Sequence, residues 1–156
     1  MVNSPTWISG GNTPLGYPVP GTVDTGVTRD SVVYPSVPIG TTARFTDTGS
    51  TRLGSGTFIF LPGVTSTVAG DVVTYRQSAG TDVSGDVNDG AATERWAGTA
   101  NTGAPLAVAT AATNTQAKWG WYQIQGGAIV NVSGTVTAGR PSKVTCAASS
   151  AFVGLR

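Results

Sequence analysis

The chain has 156 residues, a length that fits one domain and lets about two thirds of the unfolded surface be buried. Only 11% of the residues are charged, nine basic against eight acidic for a net charge of +1, and they are spread along the chain, so no basic stripe is present to neutralise a phosphate backbone. The single cysteine excludes an intrachain disulfide, and the lack of histidine excludes the ordinary zinc and haem ligand sets together with any Ser-His-Asp or Cys-His catalytic arrangement.

Good helix formers are scarce, with one Glu, two Lys and one Met, whereas 22 Gly and nine Pro punctuate short runs of Val, Thr, Ile, Tyr and Phe. An all-β chain is expected. No run approaches the roughly 18 apolar residues that a spanning helix needs, and MVNSPTWISGG at the start lacks the basic-then-apolar layout of a secretory signal. The reading is of a protein made and kept soluble in a cytoplasm, with no nucleic acid, membrane or cofactor as a partner.

Residues 1–42 hold six of the nine prolines: Pro5, Pro14, Pro18, Pro20, Pro35 and Pro38. Each fixes φ, removes an N–H and pushes its predecessor toward extended backbone, so the segment is expected to be an extended N-terminal arm broken by turns. Trp7, Ile8, Leu15, Tyr17, Val19, Val32, Val33 and Tyr34 give this arm apolar anchors, and of these Trp7, Ile8, Leu15, Tyr17, Val33 and Tyr34 are expected to contact another protein surface.

From residue 43 to 156 the punctuation changes to Gly-bounded β runs. Strands are expected at 57–61 (TFIFL), 71–76 (DVVTYR), 104–111 (APLAVATA), 119–125 (WGWYQIQ), 127–134 (GAIVNVSG) and 142–148 (SKVTCAA). Their length and spacing imply a compact antiparallel β-barrel or β-sandwich. The runs FIF and VV lack strict alternation, which implies burial on both faces by barrel closure or by neighbouring subunits. Residues 111–118 have room for a helical turn but show no apolar period. Residues 77–103, rich in Gly, Asp and Asn, read as a long loop-rich insertion.

The chemical inventory supplies no catalytic set. Asp82, Asp86 and Asp89 fail the spacing of an EF-hand loop, and Glu94 stands at the wrong interval to complete one. The G-x-G of 52–60 is followed by neither a helix nor a Lys-Ser/Thr pair, as a phosphate loop requires. Cys146 lies in an expected strand, where a small buried apolar side chain is its ordinary role.

The one concentration of large rings is Trp119, Trp121 and Tyr122, with Trp96 upstream. On a strand Trp119 and Trp121 share one face and Tyr122 takes the other, so one face can fill the core. The other needs a cover, either the aromatic arm or a second subunit. These four residues are expected to serve as core strand or protein interface, a sugar-binding platform being the competing reading.

In residues 104–134 an Ala/Val run, a polar linker, the strand W-G-W-x-Q-I-x-G and the turn T-A-G follow one another, with AGDVVTY (69–75) upstream. This arrangement resembles the capsid decoration, or cement, proteins of tailed bacteriophages. Trp119, Gly120, Trp121, Gln123, Ile124 and Gly126 match the strand pattern, and Gly70 with Asp71 matches the turn before a strand. The resemblance implies a β core that forms homotrimers on the outer capsid surface of the virion and braces contacts between major capsid proteins. It implies no catalytic, cofactor-binding or metal-binding residue. The Pro-rich arm is not part of the resemblance, and a phage tail or fibre adhesin that binds a host glycan is the alternative function.

Overall fold

A computed structural model describes residues 5–10, 16–76, 92–95 and 105–131, of which the strand segment 92–95 is described by its backbone alone. Leu15, Trp96, Cys146, the Asp82–Asp89 cluster and the expected strand at 142–148 lie outside these residues. The fold is all-β, with nine strands among the described residues: β1 (Trp7–Ser9), β2 (Val27–Arg29), β3 (Val32–Tyr34), β4 (Thr42–Asp47), β5 (Ser55–Pro62), β6 (Val72–Arg76), β7 (Ala92–Arg95), β8 (Leu106–Ala109) and β9 (Trp119–Gln125). Among the described residues no helix is long and apolar enough to cross a membrane.

Seven strands form one antiparallel sheet in the order β1-β4-β5-β9-β8-β6-β7, and β2 and β3 form a separate hairpin. In a flat sheet β5 and β7, four places apart, would be separated by about 19 Å. They are in contact, so β5-β9-β8-β6-β7 curl into a partly closed barrel.

Both faces of the two central strands are apolar, because FIF in β5 and WGWY in β9 place large side chains at consecutive positions. One face carries Trp7, Ala43, Phe45, Phe58, Phe60, Trp119 and Trp121, with Val37 packed over them. The concave face carries Leu61, Val73, Ala107, Ala109 and Tyr122, with Ile59, Tyr75 and Ile124 around them. Small Ala residues on β8 leave room for the Tyr122 ring inside the curl. Each fully buried large side chain contributes about 1.5–3 kcal/mol relative to exposure.

The rings of the first face meet edge-on in a continuous chain. Trp7 lies 4.9 Å from Phe58, Phe58 5.4 Å from Phe45, Phe45 5.1 Å from Trp121, and Trp121 5.2 Å from Phe60, all T-shaped. Such pairs contribute about 0.5–1.5 kcal/mol each beyond area burial.

Several sequence expectations are corrected in detail. The described part of 127–134 is not a strand: Gly126 turns the chain at φ +101°, the Gln123 amide donates to the Gly127 carbonyl at 2.7 Å, and Asn131 pairs with Gly70 and Ala69, so that backbone is held by loop contacts. Residues 111–118 form turns. The 77–103 stretch contains a strand, β7, which extends the sheet by pairing with β6.

Candidate interaction surface

The cover of the aromatic face comes from this chain's own N-terminal quarter. Trp7 enters the sheet beside β4 and is only 6% exposed, Tyr17 and Ile39 pack against the cluster, and Val37 is fully buried. The indole N–H of Trp121 donates to the Pro18 carbonyl at 2.6 Å, and Asp24 exchanges two backbone hydrogen bonds of 2.9 Å with Trp119. Trp7 and Tyr17, expected to anchor a neighbour, are thus occupied at home. The physical reason is tethering: a segment joined to β4 meets the Trp face at a high effective concentration that a separate subunit must compete against. Trp119, Trp121 and Tyr122 are all buried within one chain, so none of these three rings is presented on the surface as a sugar platform.

What the N-terminal quarter leaves exposed is the β2–β3 hairpin. All six of its residues face solvent, and Val27, Val32, Val33 and Tyr34 are 39–46% exposed. Its register pairs Val27 with Tyr34 and Arg29 with Val32, so these four side chains share one face, with Thr28 and Val33 on the other. The two-residue turn places Asp30 at φ +49° and Ser31 at φ +66°, the left-handed pair that lets a tight hairpin twist with its strands. Ile8, on the edge strand β1, is a separate exposed apolar residue.

The hairpin stands on a rigid base. The buried Asp24 carboxylate accepts from the Gly26 N–H at 2.9 Å and from the Ser36 N–H and hydroxyl, each at 2.8 Å, clamping the two ends of the hairpin together. Gly26, at φ +80°, lies so close to the Trp119 ring that a Cβ would come within 3.0 Å of it. The hairpin is therefore an apolar projection held against Trp119, a fully buried Trp of the core.

Two other carboxylates organise turns in the same manner. Asp47 accepts from Thr51, Leu53, Gly49 and Thr6. The Thr51 hydroxyl foremost, then these backbone N–H groups, hold its carboxyl down at about 2 against the opposing effect of burial. Asp71 accepts from the Val68 N–H and the Asn131 amide. Asp24-Thr25-Gly26 and Asp47-Thr48-Gly49 repeat the triplet D-T-G, which invites comparison with a two-carboxylate catalytic dyad. Asp24 sits beside Trp119, opposite Pro62 at one end of β5, and Asp47 sits beside Gly54 at the other. An eight-residue strand separates them by on the order of 20 Å, against about 3 Å for carboxylates that share a proton. They are Asx turns, and no three acidic or cysteine side chains converge among the described residues.

A groove of about 580 Å³ opens between the edge at Pro5 and Trp7 and the loop at Ile129 and Asn131, floored by Val108 and Gln123. None of the residues lining it is charged. It contains no group suited to acid–base work at neutral pH. On the concave side the Tyr122 phenol shares a 2.5 Å hydrogen bond with Thr113, and burial pushes it up to about 12, the Thr113 contact acting the other way.

Val33 and Tyr34 are the sequence-named contact residues that the fold presents outward, together with Ile8. Val27 was missed, as were the buried Asp24 and Asp47 carboxylates, and Val32 was named as an apolar anchor of the arm but not as a contact residue. The signal for the hairpin is the alternation V-T-R and V-V-Y around Asp30-Ser31, a turn pair without the Gly that usually marks such loops. Comparison with known proteins returns no match to a family model, a curated protein or a solved structure.

Proposed function

We propose that this chain is a non-enzymatic structural protein of a virus particle, a decoration or cement protein that self-associates as a homotrimer on the outer capsid surface and braces contacts between major capsid proteins. The observation that carries the reading is the β2–β3 hairpin: four large apolar side chains displayed on a projection clamped to the buried aromatic core. An exposed apolar projection on a rigid base suits permanent protein contact, since burial then costs little ordering entropy. The low charge, 11% of residues, agrees with a chain that spends its surface in interfaces poor in charged groups. The resemblance of the Trp119–Gly126 strand pattern to phage cement proteins supports the setting. Many weak contacts repeated over a lattice add avidity, so a modest interface per copy can brace a shell.

The test is rebinding. Capsids stripped of their decoration layer are mixed with the purified chain and separated on a density gradient. Co-migration with capsids, and raised resistance of those capsids to heat, is the expected result. Binding to tails or to host glycans without binding to capsids favours the adhesin reading and contradicts the cement role.

A further inference from the structure

We propose that the β2–β3 hairpin is the self-association element of this chain, and that its occupant is the same hairpin of a second and third copy, gathered about a threefold axis. This rests on the assembly reading above and names the surface that performs it. A two-stranded hairpin that exposes both faces is marginal in water by itself, and among the described residues neither outer edge of β2 or β3 has a ladder partner. Something that covers Val27, Val32 and Tyr34 stabilises it.

The charges select a copy of itself as that cover. Arg29 and Asp30 are adjacent at the hairpin tip, they are its only charged residues, and neither side chain has a partner among the described residues. A basic or acidic partner would match one of them and repel the other. Tips meeting around a ring satisfy both, because Arg29 of each copy faces Asp30 of the next. The apolar residues Val27, Val32 and Tyr34 lie on the same face as Arg29 and are buried by the same approach. A net charge of +1 per chain leaves little long-range repulsion to oppose it.

The experiment uses the full chain in a dilution series read by sedimentation velocity, with circular dichroism to establish folding. Arg29→Asp gives a tip with two negative charges and Asp30→Arg a tip with two positive ones. Each alone is expected to self-associate about tenfold or more weakly, because attractive pairs become like-charge pairs. A mixed ring of three has two attractive tip contacts and one like-charge contact, so mixing the two variants is expected to restore assembly in part, to a level above either variant alone and below the wild type. Should Asp30→Arg fail to fold at its left-handed backbone position, Arg29→Asp and the exposed-face variant Val32→Thr/Tyr34→Thr decide, both being expected to dissociate. Wild-type association by Arg29→Asp and Val32→Thr/Tyr34→Thr overturns the hairpin assignment and leaves self-assembly standing. A wild-type chain that is monomeric throughout the series overturns the assembly reading as well.

Discussion

The indole N–H of Trp121 points at the carbonyl of Pro18, 103 residues earlier in the chain, and reaches it at 2.6 Å. This one bond fixes which surface the proline-rich segment covers. The prolines supply an extended, pre-stiffened chain with few donors of its own, and Trp121 supplies the donor that pins a carbonyl of that chain over the aromatic face. The same ring also packs edge-on against Phe45 and Phe60, so the segment is anchored to the best-packed part of the molecule.

Trp121→Phe removes the donor, leaves the Pro18 carbonyl unpaired and opens space between Phe45 and Phe60. A loss of about 1–3 kcal/mol in unfolding free energy is expected, measured from urea denaturation midpoints. An unchanged midpoint would show that the bond contributes nothing.

Gly26→Ala places a Cβ 2.5 Å from the Tyr34 carbonyl oxygen and 2.6 Å from a Val33 methyl, at φ +80°. Backbone strain alone costs about 1–3 kcal/mol, and the contacts can be relieved only by moving the hairpin off Trp119. A drop in thermal midpoint together with altered Trp fluorescence is expected. A fully native spectrum and midpoint would mean that the hairpin base is not fixed as described.

Asp47 gives a pH dependence of known sign. Its carboxyl is held at about 2, below the ordinary 3.8, so the folded state favours the charged form more than the unfolded state does. The associated stability is present above about pH 4 and is lost as the pH falls through about 2. Asp47→Asn cannot accept from Thr51, Leu53, Gly49 and Thr6 together, so it is expected to be less stable near neutrality and to show a shallower loss on acidification. Parallel acid limbs for the two proteins in denaturant titrations would contradict this role.

Tyr122 acts at the other end of the scale. Its phenol is pushed up to about 12 by burial, so its share of stability is complete below the ordinary 10 and is lost as the pH rises through 12. Tyr122→Phe leaves the Thr113 hydroxyl without this partner and is expected to flatten the alkaline limb, which unfolding curves at rising pH will measure. An alkaline limb as steep as the wild type's would contradict the assignment.

The strands that the sequence made legible are those with dense β-branched and aromatic content: β5, β6, β8 and β9 all fall within a few residues of the runs TFIFL, DVVTYR, APLAVATA and WGWYQIQ. The double-faced burial of β5 and β9 was legible too, because bulky residues at consecutive positions cannot share one side of a sheet. Strand β4 was not, since TARFTD has a single large side chain and depends on Phe45 meeting Phe58 and Trp121 across the sheet. The hairpin was hidden because its turn pair Asp30-Ser31, left-handed at both positions, lacks the Gly that usually marks such a turn. The segment after Gly126 looked like a strand by composition, but its direction is set by Gln123 and Asn131, polar contacts with no local periodicity.

Sedimentation equilibrium of the purified wild-type chain tests most directly whether it works by joining copies of itself. The expected mass is three times the 15.7 kDa of one chain, falling toward a single chain on dilution. A mass of 15.7 kDa at every concentration, with the Val27, Val32 and Tyr34 face left in water, would contradict it.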